Sequence, residues 1–284
     1  MLNALKTVVG IGEVLWDMLP NGKQLGGAPI NFAYHVTQLG LRGIAVSAVG
    51  NDSLGDEIIA CLNAHSIENI IERINFPTGI VNVTIDSSGI PQYDICQDVA
   101  WDKISFSPQL TRLALDADAV CFGTLGQRNA VSRVAIRKFV EMLPDNCLRI
   151  CDINIRQSYY THEIIEWSLR HCDILKVNND ELDLLKSILG LPDDNNMACI
   201  SILHKYNLKV VILTLGEYGS WIYSANEKSY EPTPEVNVID TVGAGDSFTA
   251  AFVVSYLNGK SIKESHRHAV AVSAQTCTHP GAMR

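Results

Sequence analysis

No Cys-x-x-Cys pair occurs among the eight cysteines of this 284-residue chain. Several of them lie inside apolar segments such as Ala119-Val-Cys121 and Arg149-Ile-Cys151, so they read as reduced core residues and not as a disulfide framework or zinc site. The histidines form neither a His-Glu-x-x-His pair nor a Cys/His ligand spacing, which leaves His266 and His268 as solvated helix residues. A Gly-x-Ser-x-Gly elbow is also missing, and with it an esterase-type nucleophile. No apolar stretch is long enough to cross a bilayer. Met1-Leu-Asn-Ala-Leu-Lys-Thr-Val-Val has no basic flank ahead of a long apolar core, so the expected location is the cytoplasm and no membrane partner is expected. Positive charge is scarce: 22 Lys and Arg face 31 Asp and Glu, for a net charge of −9. That balance argues against a nucleic-acid partner and leaves room for a local basic pocket around a small phosphate-bearing ligand. Internal repeats, low-complexity tracts and charged tails are absent, and Pro232-Thr-Pro234 is a loop, not a linker.

What is present is core material. With 47% hydrophobic residues the chain can bury one large α/β domain or two modest ones without a staple. Short β-branched runs predict strands at Thr7–Ile11, Ile44–Val49, Ala119–Phe122, Arg149–Ile153, Ile174–Val177 and Val210–Thr214. Between them the apolar spacing predicts helices at Pro29–Leu39, Leu54–His65, Ser132–Leu143, Ile164–Leu169, Asp180–Leu189 and Ala198–Tyr206. This alternation implies a mainly parallel sheet covered on both faces, with functional residues at the carboxyl ends of the strands. Two segments, about 13–25 and 74–101, break the rhythm. Val81-Asn-Val-Thr-Ile85 alternates and Ser88-Gly89 marks a turn before Pro91–Cys96, so antiparallel strands leaving one edge of the sheet are expected there. They form either a small lid over a site at the strand ends or an ordinary surface hairpin.

Two near-matches fail. Gly10-Ile-Gly12 follows a strand, but the third glycine of a dinucleotide fingerprint would fall on Leu15. Gly259-Lys260-Ser261 resembles the end of a P-loop, yet the required first glycine would fall on Val254 inside a helix.

Asp240-Thr-Val-Gly-Ala-Gly-Asp246 is the most informative stretch. It opens an apolar helical run to Asn258 that carries Phe248, Ala251, Phe252 and Tyr256 on one face. Gly243, Ala244 and Gly245 have almost no side chain, so backbone N–H groups there can cradle an anion at the positive end of the helix dipole. Asp246 suits two roles, a dipole partner or cap, or a base that takes a proton from an attacking hydroxyl in phosphoryl transfer. The Gly-Ala-Gly run, which capping does not require, favours the second.

Gly26-Gly27-Ala28-Pro29-Ile30-Asn31 also precedes a helix. Its glycines mean a tight turn or a close backbone approach, and Asn31 with Asp17 could grip paired hydroxyls. Lys176-Val-Asn178-Asn-Asp-Glu181 follows a strand. There Glu181 could orient Mg²⁺ through water, or Asn178 and Glu181 could simply cap the next helix. Thr214-Leu-Gly216-Glu-Tyr-Gly219 fits backbone pressed against a nucleotide, or a hairpin into Trp221–Ser224.

Taken together, these motifs resemble the PfkB, or ribokinase-like, family of ATP-dependent sugar kinases over essentially the whole chain. The resemblance rests on Gly26-Gly27-Ala28-Pro29-x-Asn31 through Gly40, on Asn178-x-x-Glu181, and most specifically on Asp240 to Asp246. Within the family, bacterial fructokinases are most similar, through Gly12-Glu-Val-Leu-Trp-Asp17, Thr78-Gly79, Ala100-Trp-Asp102, Phe122 to Arg128 and Asp152-Ile-Asn-Ile-Arg156. The resemblance implies a three-layer α/β/α sandwich, residues 1–284 forming one kinase domain, with a β-sheet lid that is often used for dimerisation. It implies Asp246 as base, the amides of Gly243, Ala244 and Gly245 as anion hole, and Asp17, Gly26, Gly27, Asn31 and Arg156 as sugar contacts. Asn178, Thr214, Gly216 and Gly219 would line the ATP site, with Mg²⁺ held through water at Glu181. Many members use a monovalent cation such as K⁺ beside the anion hole, and Asp240, Val242 and Gly281 are the candidate ligands. The expected reaction is transfer of the γ-phosphate of ATP to the 6-hydroxyl of D-fructose. The rivals are a kinase of ribose, 2-keto-3-deoxygluconate or a nucleoside, and a non-catalytic sugar or nucleotide sensor.

Overall fold

The computed structural model describes residues 5–19, 22–85 and 91–283. In chain order its elements are β1 (Thr7–Ile11), β2 (Leu15–Leu19), β3 (Gly22–Gly26), α1 (Ala28–Gln38), β4 (Arg42–Gly50), α2 (Ser53–Ala64), β5 (Glu68–Ile74), β6 (Ile80–Ile85) and β7 (Pro91–Ile95). There follow α3 (Pro108–Asp116), β8 (Ala119–Phe122), α4 (Ala130–Glu141), β9 (Leu148–Asp152), α5 (His162–Arg170), β10 (Ile174–Asn178), α6 (Asn179–Leu189), α7 (Asn195–Lys205) and β11 (Val210–Thr214). Last come β12 (Ser220–Ser224), β13 (Lys228–Glu231), α8 (Ala244–Leu257) and α9 (Ile262–Thr276).

Nine strands form the main sheet in the order β13-β12-β11-β10-β9-β8-β1-β4-β5. From β5 to β11 every pairing is parallel, and only β12 and β13 run antiparallel at one edge. Buried side chains alternate between the two faces. Val9, Ile11, Val120 and Phe122 join one core with α3 to α7, while Val8 and Cys121 join the other with α1, α8 and α9. This is the three-layer arrangement that the alternating strands and helices imply. Helix α8 has apolar residues all round because it is enclosed, with Phe248 through Val254 all buried.

The remaining four strands form a separate small sheet, ordered β3-β2-β6-β7. It differs from expectation in two ways. β2 pairs with β6 in parallel, with Trp16 opposite Ile80, so only the β2–β3 and β6–β7 pairs are antiparallel. Its two halves also leave the main sheet from different strands: β6 follows the edge strand β5, whereas β2 follows β1, two places further in. The turn at Ser88-Gly89 lies outside the described residues.

The small sheet is fixed to the main body by Arg128. Its buried guanidinium pairs with Asp102 at 2.8 Å, stacks over the rings of Trp101 (3.9 Å) and Tyr159 (4.7 Å), and donates to the Cys96 carbonyl just beyond β7. A planar cation suits such a sandwich because it can stack and hydrogen-bond at once.

Several elements escaped the periodicity. β5 is an edge strand whose Glu68, Glu72 and Arg73 disguise the apolar alternation, as edge strands commonly do. α3 is short and is announced by Ser107-Pro108, with the Ser107 hydroxyl accepting from the Leu110 N–H. α9 begins with a Ser261 and Glu264 capping box. His266 on α9 is a correction, because it is not solvated: its exposure is 0%, and its ring nitrogens meet Ser220 Oγ at 2.8 Å and Ser229 Oγ at 3.0 Å. Burial pulls its pKa down to about 4, so it is neutral. His268 is partly buried against Ser255 Oγ.

Candidate active site

Asn31 and Arg156 meet Asp246 at the start of α8, and Asn178 and Thr214 lie side by side at the carboxyl ends of neighbouring strands. Gly243 caps that helix in the left-handed conformation, φ 77°, with no side-chain cap. A side chain there would be strained and would also run into Ala282. The consequence is an open helix start. Among the described residues no acceptor meets the N–H groups of Gly243, Gly245 and Asp246, whereas the Ala244 N–H turns back to the Thr241 carbonyl at 3.2 Å. Three donors at the positive end of a helix dipole suit a phosphoryl group.

Asp246 is partly buried beside this opening, and its Oδ2 accepts from Asn31 Nδ2 at 2.8 Å. That bond joins α8 to α1 and brings the two glycine-led motifs together in space. The other end of the amide, Asn31 Oδ1, is buried and unpaired. Burial pushes the Asp246 pKa up to about 6. Asp152 adds to the rise, while Asn31, Lys176 and Arg156 oppose it. An acid in this range is ionised at neutral pH yet more basic than an ordinary aspartate, which suits a group that accepts a proton.

Asp17, on β2, lies opposite Gln24 of β3 and close to Gly26. Burial raises its pKa to about 6 against the pull of Arg156. Gly27, at φ 117°, packs so tightly on the Glu13 carbonyl that a side chain would collide with it, so this turn needs glycine for a close approach. Arg156 is half exposed and lies 3.8 Å from Glu181. It acts electrostatically on Glu13, Asp17 and Asp246, which makes it the cation that faces the acidic side of the site.

On the other flank, Asn178 and Glu181 form a complete capping box. Glu181 N–H donates to Asn178 Oδ1 at 2.9 Å and Asn178 N–H donates to Glu181 Oε2 at 2.8 Å, while Glu181 Oε1 accepts from Ile155 N–H at 3.1 Å. Burial raises the Glu181 pKa, although Lys176 opposes the rise. Thr214 is level with Asn178 on the neighbouring strand. Gly216 and Gly219 bound the single 3-10 turn after β11, where Gly219 backs onto the Glu231 carbonyl. Asp240, Val242 and Gly281 are held together by one carboxylate: Asp240 Oδ1 accepts from Val242 N–H at 3.0 Å and Oδ2 from Gly281 N–H at 2.8 Å.

Sequence reasoning did not single out the buried charges beneath the site. Lys176 Nζ pairs with Asp152 Oδ1 at 3.1 Å, on residues directly opposite in the β9–β10 register. Thr249 adds a 3.3 Å bond to the second Asp152 oxygen. Lys176 Nζ also lies beside the Cα of Gly245, so a positive charge sits under the anion cradle. Burial lowers the ammonium's pKa, but Asp152, Glu181 and Asp246 outweigh that and hold it above the usual lysine value. Glu13, only 1% exposed, also faces the site. A charged residue ending a strand after the apolar pair Ile150-Cys151, as Asp152 does, was the available signal.

Open amides at a helix start, an ionised carboxylate bound to an amide, and acceptors on one flank are groups of the kind that phosphoryl transfer to an alcohol requires. The family comparison agrees: the model of the pfkB family carbohydrate kinases matches residues 20–284, and the chain belongs to that family. An ATP-dependent 6-phosphofructokinase of Thermoanaerobacterium thermosaccharolyticum is 30% identical over 97% of this chain and 89% of its own length. Fructokinase-2 of Solanum lycopersicum is 28% identical, covering 97% of this chain and 92% of its own. Among solved structures, a fructokinase from Xylella fastidiosa with bound ATP has a TM-score of 0.87 at 22% identity, covering 98% of this chain and 94% of that one.

Proposed function

We propose that this protein transfers the γ-phosphoryl group of ATP to the 6-hydroxyl of D-fructose. The observation that carries the reading is the 2.8 Å bond from Asn31 to Asp246 at an uncapped helix start, which supports Asp246 as a base beside open amides. Asp246 takes the hydroxyl proton as the sugar oxygen bonds to phosphorus. The bond from phosphorus to the β–γ bridging oxygen breaks and ADP leaves. The amides of Gly243 and Gly245, with that of Ala244 once it leaves Thr241, stabilise charge on the moving group, and the Lys176 ammonium beneath them reinforces that field. Asp17 and the unpaired Asn31 Oδ1 are acceptors, which suits a neutral, hydroxyl-rich acceptor, with Gly26 and Gly27 allowing its close approach and Arg156 at its edge. Asn178, Thr214, Gly216 and Gly219 line the nucleotide side.

The donor that would meet Mg²⁺ is a single carboxylate, Glu181 in the first turn of α6, which fits an ion that arrives with nucleotide phosphates and keeps its waters. Mg²⁺ would neutralise phosphate charge, and Glu181 is the carboxylate that would orient it through water. A monovalent cation such as K⁺ would be held by the loops that Asp240 joins, with Val242 and Gly281. The small sheet would close as a lid and exclude water from the transfer.

The relative named as a 6-phosphofructokinase supports a second reading, in which the acceptor already carries a phosphate that Arg156 engages. A coupled ADP assay over fructose, fructose 6-phosphate, ribose, 2-keto-3-deoxygluconate and a nucleoside separates the two. Highest kcat/KM on fructose is expected. Preference for fructose 6-phosphate would establish the second reading, and no ADP release with any acceptor would defeat both.

A further inference from the structure

Glu13 lies two residues beyond β1 with 1% exposure, one oxygen held by a side chain and the other not. Oε1 accepts from Asn154 Nδ2 at 2.9 Å, while Oε2 is buried without a partner. Asn154 is itself buried and held in the left-handed region, φ 44°, a strained conformation that local structure must enforce. Glu13, Asn154, Asp152, Thr249 and Asp246 line one small cavity of about 10 Å³, roughly the room of a single water molecule. A carboxylate at such depth forfeits its hydration, and the backbone N–H groups of Glu13 and Ala28 that oppose its rise in pKa do not offset the cost of burial.

We propose that Glu13 is a second proton carrier of the reaction: it receives, across this cavity, the proton that Asp246 takes from the acceptor hydroxyl. The inference rests on the phosphoryl-transfer reading above. With sugar and nucleotide in place the open side of Asp246 is covered, so the cavity is the remaining outlet. In the transfer the O–H bond on Asp246 breaks and an O–H bond on Glu13 forms, directly or through one water. Asp246 is thereby returned to its anionic state, and Glu13 releases the proton to solvent when the site opens. The charged groups that face the pair are Asp246 from α8, Arg156 from the loop after β9, and the Asp152–Lys176 ion pair from β9 and β10. The energetics are matched. Burial lifts Glu13 to about 7, with the backbone N–H groups of Glu13 itself and Ala28 and the Arg156 charge opposing the rise and Asp246 adding to it, which is close enough to the value of about 6 for Asp246 that a proton can pass between the two.

The test is Glu13→Gln, which keeps size and hydrogen-bonding capacity but cannot carry a proton. With the best acceptor of the panel, kcat at pH 8 should fall about tenfold while both KM values stay within twofold, since proton transfer and not binding is impaired. The wild-type kcat profile should show two ionisations between pH 5 and 8, and the variant one. A variant that keeps both ionisations, or that loses less than twofold in kcat, overturns the proposal. So does a variant whose loss lies wholly in KM. Should the variant fail to fold, carbon-13 NMR of the wild-type protein decides. The assigned Glu13 carboxyl carbon is expected to titrate near 7 and to shift in the Asp246→Asn protein; a midpoint in the ordinary glutamate range ends the idea. The NMR measurement needs no acceptor, so it stands even if the panel defeats the kinase reading.

Discussion

Two helix starts in this protein look alike in sequence and differ in how their acids and amides are bonded. Asn178-Asn-Asp-Glu181 and Gly243-Ala-Gly-Asp246 each place an acid in the first turn of a helix. At α6 both Glu181 oxygens already hold backbone N–H groups and the Asn178 side chain closes the first turn, so the acid first holds the chain together and has only its remaining lone pairs to offer to water. At α8 there is no side-chain cap, three amides are open, and Asp246 has a single side-chain partner. An acid at a helix start becomes a working group when its local hydrogen bonds are left for something else to make.

The strongest challenge to this contrast is Asp246→Asn, which can keep the bond to Asn31. Turnover should fall about a thousandfold with nucleotide affinity within threefold, as read by steady-state kinetics and titration calorimetry. The same variant should melt at a higher temperature than wild type at pH 8. With a folded pKa near 6 against an ordinary 3.8, the folded state binds more protons between those values, so ionised Asp246 destabilises the fold, fully so above pH 6. Equal or lower melting would mean that Asp246 is a structural cap after all.

Gly243→Ala should cost about 1–3 kcal/mol by denaturant unfolding, because it forces a side chain into left-handed backbone against Ala282, and it should lower kcat by at least tenfold. Unchanged kcat would show that this turn does not shape the transition state. Glu181→Gln leaves one backbone N–H without an acceptor and should cost about 1–2 kcal/mol in stability, with the Mg²⁺ needed for half-maximal rate rising several-fold but kcat at saturating Mg²⁺ little changed. If kcat instead fell as far as in Asp246→Asn, the two helix starts would not differ in the way described. The smallest effect concerns His266. Its folded pKa of about 4 lies below the ordinary 6.5, so the unfolded chain binds the extra proton in that window. Its contribution is complete above pH 6.5 and fades as pH falls toward 4, and the pH dependence of unfolding in that range should flatten in His266→Gln.

The legible parts of the molecule were those whose signal is local. The buried parallel strands announce themselves as apolar runs, and β1, β8 and β11 start and stop where their residues predict. Edge strands β5 and β13 do not, since one solvated side dilutes the pattern. Asp246 stood out because three small residues precede it. The Asp152–Lys176 pair did not, because those residues are 24 apart in the chain and meet only through strand register. His266 was misjudged for the same reason: its two serine partners lie 46 and 37 residues away.

By itself, then, the chain determined its alternating layers and the small-residue turn that opens α8, because helix and strand periodicity and glycine's freedom of φ act over a few neighbouring residues. Which carboxylates are satisfied, which are pushed toward neutral pH, and which share an enclosed space were decided only in the folded state. Burial and charge proximity depend on what the sheet order brings alongside, and no stretch of sequence carries that information alone.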